Sequence, residues 1–148
     1  MRPSFPPSGF AIVTLKLGTS TFDALFSEAR SCTYTPVFRE VGGASDDPFR
    51  SQSRVIRLSS ALKLVQKVIN EDACIRDEKY QPTVFSFMHS RPGGEAQEPN
   101  QDYTAELRDQ CGERFPGSVP ASVIVSLEND TKLRVLRVVS NIQTSKKK

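Results

Sequence analysis

Two apolar periodicities follow one another irregularly along this chain, and their order restricts the fold more than any single motif does. Val13, Leu15 and Leu17 alternate with Thr14 and Lys16, a period of two that suits a strand over 10–17 with one buried face. Phe22, Leu25, Phe26 and Ala29 then recur at helical spacing behind Ser20, a capping residue with Asp23 three positions on. Residues 33–40 are β-branched and aromatic around Pro36, which fits an edge strand or an extended connection. The Gly-Gly and Asp-Asp-Pro elements of 42–53 predict a loop. Val55, Leu58, Leu62, Val65 and Ile69 predict a second helix from about 54 to about 73.

The second half continues with a short, strongly β-prone run at 84–89, then a Pro- and Gly-rich loop over 90–103. A short helix is expected at 104–111. Residues 119–127 and 132–139 are expected to form a hairpin around an Asn-Asp turn at 128–131. Helices and strands do not alternate regularly enough for a doubly wound parallel sheet, and no unit repeats. The expected class is α+β, with amphipathic helices packed on a mainly antiparallel sheet. One domain over 10–139 would follow a disordered leader at 1–9, where Pro3, Pro6, Pro7 and Gly9 oppose regular structure, and precede a basic tail at 140–148.

A chain of 148 residues can bury roughly two thirds of the surface it exposes when unfolded, so it does not need disulfides to fold. Cys32, Cys74 and Cys111 are odd in number and far apart, which indicates neither a disulfide framework nor a zinc knuckle and points to a reducing, intracellular compartment, cytoplasmic or nuclear. The net charge of +3 is matched by the terminal Lys146, Lys147 and Lys148. The body is thus near neutral, which argues against a nucleic-acid partner. No apolar run approaches the length of a membrane span. The expected second helix carries Arg54, Arg57, Lys63 and Lys67 on its other face, a solvated side or a surface for an anionic partner, without interleaved aromatics.

Catalytic chemistry finds little to work with. A nucleophilic cysteine needs a neighbouring base, and the chain's one histidine, His89, closes a strand with no cysteine near it in sequence. Gly42-Gly43 and Gly93-Gly94 lack the lysine-serine and strand-to-helix setting of a phosphate loop. No residue is assigned a catalytic or cofactor-binding role.

The loop Ser90-Arg91-Pro92-Gly93-Gly94-Glu95-Ala96-Gln97-Glu98-Pro99-Asn100-Gln101-Asp102-Tyr103 follows a strand and ends in an acidic-aromatic pair. It resembles the loop of iron(II)/2-oxoglutarate-dependent oxygenases of the double-stranded β-helix type, in which a strand and a Pro-Gly turn lead to Gln-x-x-His-x-Asp-aromatic. Residues 120–133 are similar to the next core strand and turn of such proteins. That family holds iron(II) with two histidines and one carboxylate, leaving positions open for oxygen and 2-oxoglutarate. The resemblance places Asp102 at the carboxylate and Asn100 where the first histidine belongs, a vestigial metal position. No histidine follows His89 to serve as the second, and the resemblance covers about 84–133, short of barrel closure. It implies a truncated, inactive relative, a pseudoenzyme with an incomplete double-stranded β-helix. Iron(II) and 2-oxoglutarate are cofactors only under that reading. The alternative is a small non-enzymatic protein that binds a macromolecular partner through its basic helix or its loops. An open barrel edge would in addition favour self-association.

Overall fold

A computed structural model of the chain describes residues 10–38, 46–71, 84–95, 103–116 and 120–133. Helix α1 (Thr19–Ser31) turns the expected apolar spacing into packing, because Leu25 faces the core and is only 1% exposed. The helix begins one residue before Ser20. Gly18 is the N-cap, and its carbonyl accepts from the amides of Thr21 and Phe22 without a side-chain cap bond. Arg30 sits in the last turn, where the helix dipole favours a cation. Beyond the helix, the Tyr34 hydroxyl donates to the Ala29 carbonyl at 2.8 Å and ties the following extended chain to the helix end.

Strand β1 (Thr35–Phe38) pairs antiparallel with β2 (Asp46–Val55), and β2 pairs antiparallel with β3 (Phe85–Ser90), so β2 is the centre of a three-stranded sheet with order β1-β2-β3. Of the two readings of 33–40, edge strand or extended connection, the structure forms the edge strand at Thr35–Phe38, and the strand expected at 84–89 is present as β3. The expected loop over 42–53 is corrected from residue 46 onward, where the chain forms the central strand. Its turn chemistry survives as a bulge: Pro36 lies opposite Ser51, but Val37 lies opposite Asp47, so Pro48, Phe49 and Arg50 stand outside the β1–β2 register.

The second helix, α2 (Ser60–Glu71), is shorter than its apolar spacing predicts, because Val55 ends β2 and Leu58 precedes the helix. Ser59 supplies the start. Its hydroxyl accepts from the Leu62 amide at 3.1 Å, the N-cap bond that satisfies one of the helix's orphan donors. Leu62 and Val65 are buried and meet Leu25 and Phe87 in one core, with Leu17, Cys32, Tyr34, Val55 and Ile69 packed around them. The two helices thus cover the sheet face that carries Val55 and Phe87. The basic face expected on this helix is corrected as well: Lys63 and Lys67 are on α2, whereas Arg54 lies in β2 and Arg57 in the connection after it.

Helix α3 (Ala105–Arg114) is capped by Thr104, whose hydroxyl accepts from the Leu107 amide, and it buries no residue. Glu106, in its first turn, has its carboxyl held below the ordinary range by its own amide and the Thr104 hydroxyl. The strands expected over 10–17 and 119–127 are corrected: residues 10–18 and 120–127 form no ladder among the described residues, and burial alternates only over 12–18 and 124–128. Val13, Leu15 and Leu17 are half-buried between exposed neighbours, and Val125 and Leu127 pack against the core. The expected turn after 127 is present, with Asp130 at φ 60° and the Ser126 and Thr131 hydroxyls both donating to the Glu128 carbonyl. The rest of the expected second hairpin strand, 134–139, lies outside the described residues. Among the described residues no helix is long and apolar enough to cross a membrane.

Candidate interaction surface

β2 and β3 form a continuous ladder from Val55↔Phe85 to Arg50↔Ser90, and the Arg91 amide extends it by donating to the Phe49 carbonyl at 2.8 Å. That last bond fixes the phase of the ladder. In an antiparallel pair, opposed residues alternate between those that exchange hydrogen bonds and those that do not. Phe49 and Arg91 belong to the first kind, so Ser51 with His89, Ser53 with Phe87, and Val55 with Phe85 do too. The backbone groups of Ser86, Met88 and Ser90 consequently point away from β2, to the outer side of the sheet. No strand among the described residues pairs with that side.

Side chains follow the same period. Phe85, Phe87 and His89 share the helix-covered face, with Phe87 only 7% exposed, while Ser86 and Met88 stand on the opposite face beside Gln52 and Arg54. That second face is bare: Met88 is 64% exposed and Val84, just before the strand, 56%. The strand carries no Asp, Glu, Lys, Arg or Pro, the residue types that usually guard an open edge.

β3 ends at a clamp. Asp47 is buried in the bulge, where its carboxylate accepts from the Phe49 amide at 2.8 Å and pairs with the Arg50 guanidinium. Burial opposes the charge on Asp47, but the Phe49 amide and Arg50 outweigh it and hold the carboxyl below its ordinary value. The same guanidinium donates to the Glu95 carbonyl at 2.5 Å, across the sheet end. Between them the Pro92–Gly93 turn folds over the Phe49 ring. Gly93 has φ 95°, and a β-carbon on Gly94 would lie 2.9 Å from Cβ of Phe49, so both positions require glycine. This turn was legible in the sequence as a loop; the buried Asp47 beneath it was not.

Of the residues singled out by the sequence, some lie outside the described residues and the others form no common site among them. Asn100, Asp102 and Cys74 are outside the described residues. The His89 ring lies against Tyr34, with centroids 5.5 Å apart and planes at 57°, and no hydrogen bond joins it to Cys32 or Cys111 among the described residues. Burial, then the neighbouring Cys32, raise the Tyr34 phenol above its ordinary value. Among the described residues no group of His, Cys, Asp or Glu side chains could hold a metal ion. The facial triad of the family that the loop resembles needs two imidazoles, and the chain's one histidine is committed to the sheet beside Tyr34.

The sequence shows that the run at 85–90 holds neither proline nor an Asp, Glu, Lys or Arg, but its place at the edge follows from the strand order β1-β2-β3. Comparison with protein-family models, with curated proteins and with solved structures finds no match to this chain.

Proposed function

We propose that the protein is a non-enzymatic interaction module that takes an extended polypeptide segment onto the outer edge of β3. The observation that carries this reading is the unguarded edge itself: the outward backbone groups of Ser86, Met88 and Ser90, in a six-residue strand free of charge and proline. Backbone pairing supplies affinity in such an exchange, and alternate side chains supply selectivity. Here the incoming segment would set alternate residues beside Met88 on the bare face and beside Phe87 and His89 on the covered one. The clamp at Asp47, Arg50 and Glu95 fixes where the edge ends.

The test is a selection of displayed extended peptides on the full chain, followed by binding to Met88→Pro, which deletes an outward amide while leaving the bonds of Phe85, Phe87 and His89 to β2. Peptides with alternating apolar residues that bind the chain and lose affinity for Met88→Pro support the reading. Peptides that bind both chains equally sink it, as does a selection that enriches none. Circular dichroism establishes that the variant folds, and Met88→Lys serves as the backbone-neutral counterpart.

A second reading, the inactive oxygenase-like domain, has one feature in its favour: β3 runs into a Pro92–Gly93 turn, as that resemblance implies. Anaerobic calorimetric titration with iron(II), with and without 2-oxoglutarate and beside Asp102→Ala, separates the readings. Saturable binding strengthened by 2-oxoglutarate and lost in Asp102→Ala would favour this second reading over the first.

A further inference from the structure

We infer that the segment docked on β3 is β3 of a second copy of this chain, the two copies joining their sheets into one six-stranded antiparallel sheet about a two-fold axis at Met88. The inference rests on the reading of β3 as the docking edge and names its occupant. Three observations select a second copy. The outward residues are Ser86, Met88 and Ser90, and an antiparallel partner must offer outward residues opposite them. A copy of the same strand does so in a single register that uses all of them: Met88 opposite Met88, and Ser86 of each copy opposite Ser90 of the other. The contact is isologous, so it closes on itself and leaves β1 as the outer strand at both ends.

Charge agrees with that register. The strand has no Asp, Glu, Lys or Arg; the next one along the chain, Arg91, falls opposite Phe85 of the other copy, and Arg50 and Arg54 stand one strand further in, on β2. The two Arg91 residues are then separated by roughly 20 Å along the strands, at ~3.4 Å per residue. That is beyond the distance over which exposed charges repel at physiological salt, ~8 Å. Faces agree as well. A two-fold axis perpendicular to the sheet keeps the helix-covered faces on one side and brings the two Met88 side chains together on the bare one, where each is otherwise 64% exposed. A contact of one short strand is small, so the product is a weak dimer, formed and dissolved with concentration.

The test exploits the axis. Met88→Lys and Met88→Glu, made separately in the full chain, set like charges directly opposite across the two-fold; mixed in equal amounts they set opposite charges there. Sedimentation over a range of concentrations should show the unmodified chain passing from 16.4 kDa to twice that mass. Each variant alone should dimerise about tenfold more weakly, and the mixture should recover the dimer. Both substitutions are at an exposed position, and circular dichroism checks that each folds. Dimers undiminished in both variants overturn the inference, since the copies then meet elsewhere, and a mixture no stronger than its components overturns the axis at Met88. An unmodified chain that stays monomeric at every concentration also overturns it. In that case peptide selection with the Met88→Pro control separates the two failures: selected peptides leave β3 as a docking edge for another protein, and none removes that reading too.

Discussion

The two outer strands of the sheet flank the same central strand and are built to opposite rules. β1 is four residues long and broken by the register shift at Pro36/Val37; β3 is six residues long and in unbroken register with β2. The phase of the ladder sharpens the contrast. Because Ser51 bonds toward β3, Gln52 bonds toward β1, and Thr35 opposite it faces inward, its hydroxyl also reaching the Gln52 carbonyl at 3.3 Å. Pro36 therefore occupies the outward position, where an amide would invite another strand and proline has none to offer. At the equivalent outward positions β3 has Ser86, Met88 and Ser90. One edge is closed by sequence, and among the described residues no strand pairs with the other.

The largest effect that tests this contrast is on stability. Phe87→Ala removes a buried ring that meets Leu25, Leu62 and Val65, and should cost about 3–5 kcal/mol in denaturant unfolding. Val37→Ala, at a half-buried position of β1, should cost ~1 kcal/mol or less. Equal losses would mean that β1 is as deeply integrated as β3, and the difference between the edges would no longer reflect a core strand beside a covering one.

Next in size is the clamp that ends β3. Gly94→Ala forces a methyl to within 2.9 Å of Cβ of Phe49, an atom fixed by its own backbone, so the turn or the bulge must move. A loss of ~1–3 kcal/mol is expected from overpacking of this kind. An unchanged midpoint would show that the turn and the bulge are not in contact in solution, and the edge would then have no fixed end.

The sequence carried α1, β3 and the start of α3 plainly, because in each a strong local preference agrees with the tertiary setting: Leu25 on an apolar stripe, Phe85 and Phe87 in a β-prone run, Thr104 as a cap. It misplaced β2 for a physical reason. Residues 46–55 hold one buried residue, Asp47, and their strand character comes from bonds to neighbours on both sides rather than from their own apolar alternation. Val55 and Leu58 then happen to continue the spacing of Leu62, Val65 and Ile69 backwards, and only Ser59, a capping residue inside that run, marks the true start of α2. Edge status was half legible. Pro36 announces an outer strand, but whether β3 is central or outer depends on strand order, which no local pattern encodes. Asn100 and Asp102, the residues named for a metal position, lie outside the described residues, so the fold neither supports nor opposes that assignment.

Acid should separate the clamp from the rest of the sheet. The Asp47 carboxyl lies below its ordinary value of 3.8 in the folded chain, so the folded state holds that proton less tightly than the unfolded one. The resulting stabilisation is complete above the ordinary value and is lost as pH falls through the lower, folded one. Asp47→Asn should lower the unfolding midpoint at neutral pH, and the gap between the two chains should narrow on acidification below the ordinary aspartate range. Glu106 shifts in the same direction but is common to both chains and drops out of the difference. A gap that is constant with pH would mean the carboxylate charge is not what holds Arg50 over the sheet end.

The smallest effect, and the one that bears most directly on the contrast, comes from opening the closed edge. Pro36→Val restores an outward amide to β1 with a residue that favours strands. Stability should change by under ~1 kcal/mol, because that amide faces solvent and makes no bond to β2. Association is where the substitution should register: a chain with two open edges can pair at both, so sedimentation should show species beyond the dimer at high concentration. They should be few, since the register shift after residue 36 leaves the new edge short and bent. If Pro36→Val stays strictly dimeric, the bulge at Pro48, Phe49 and Arg50 is the true guard of β1 and the proline only accompanies it. Straightening that bulge would then be the change that makes the two edges alike.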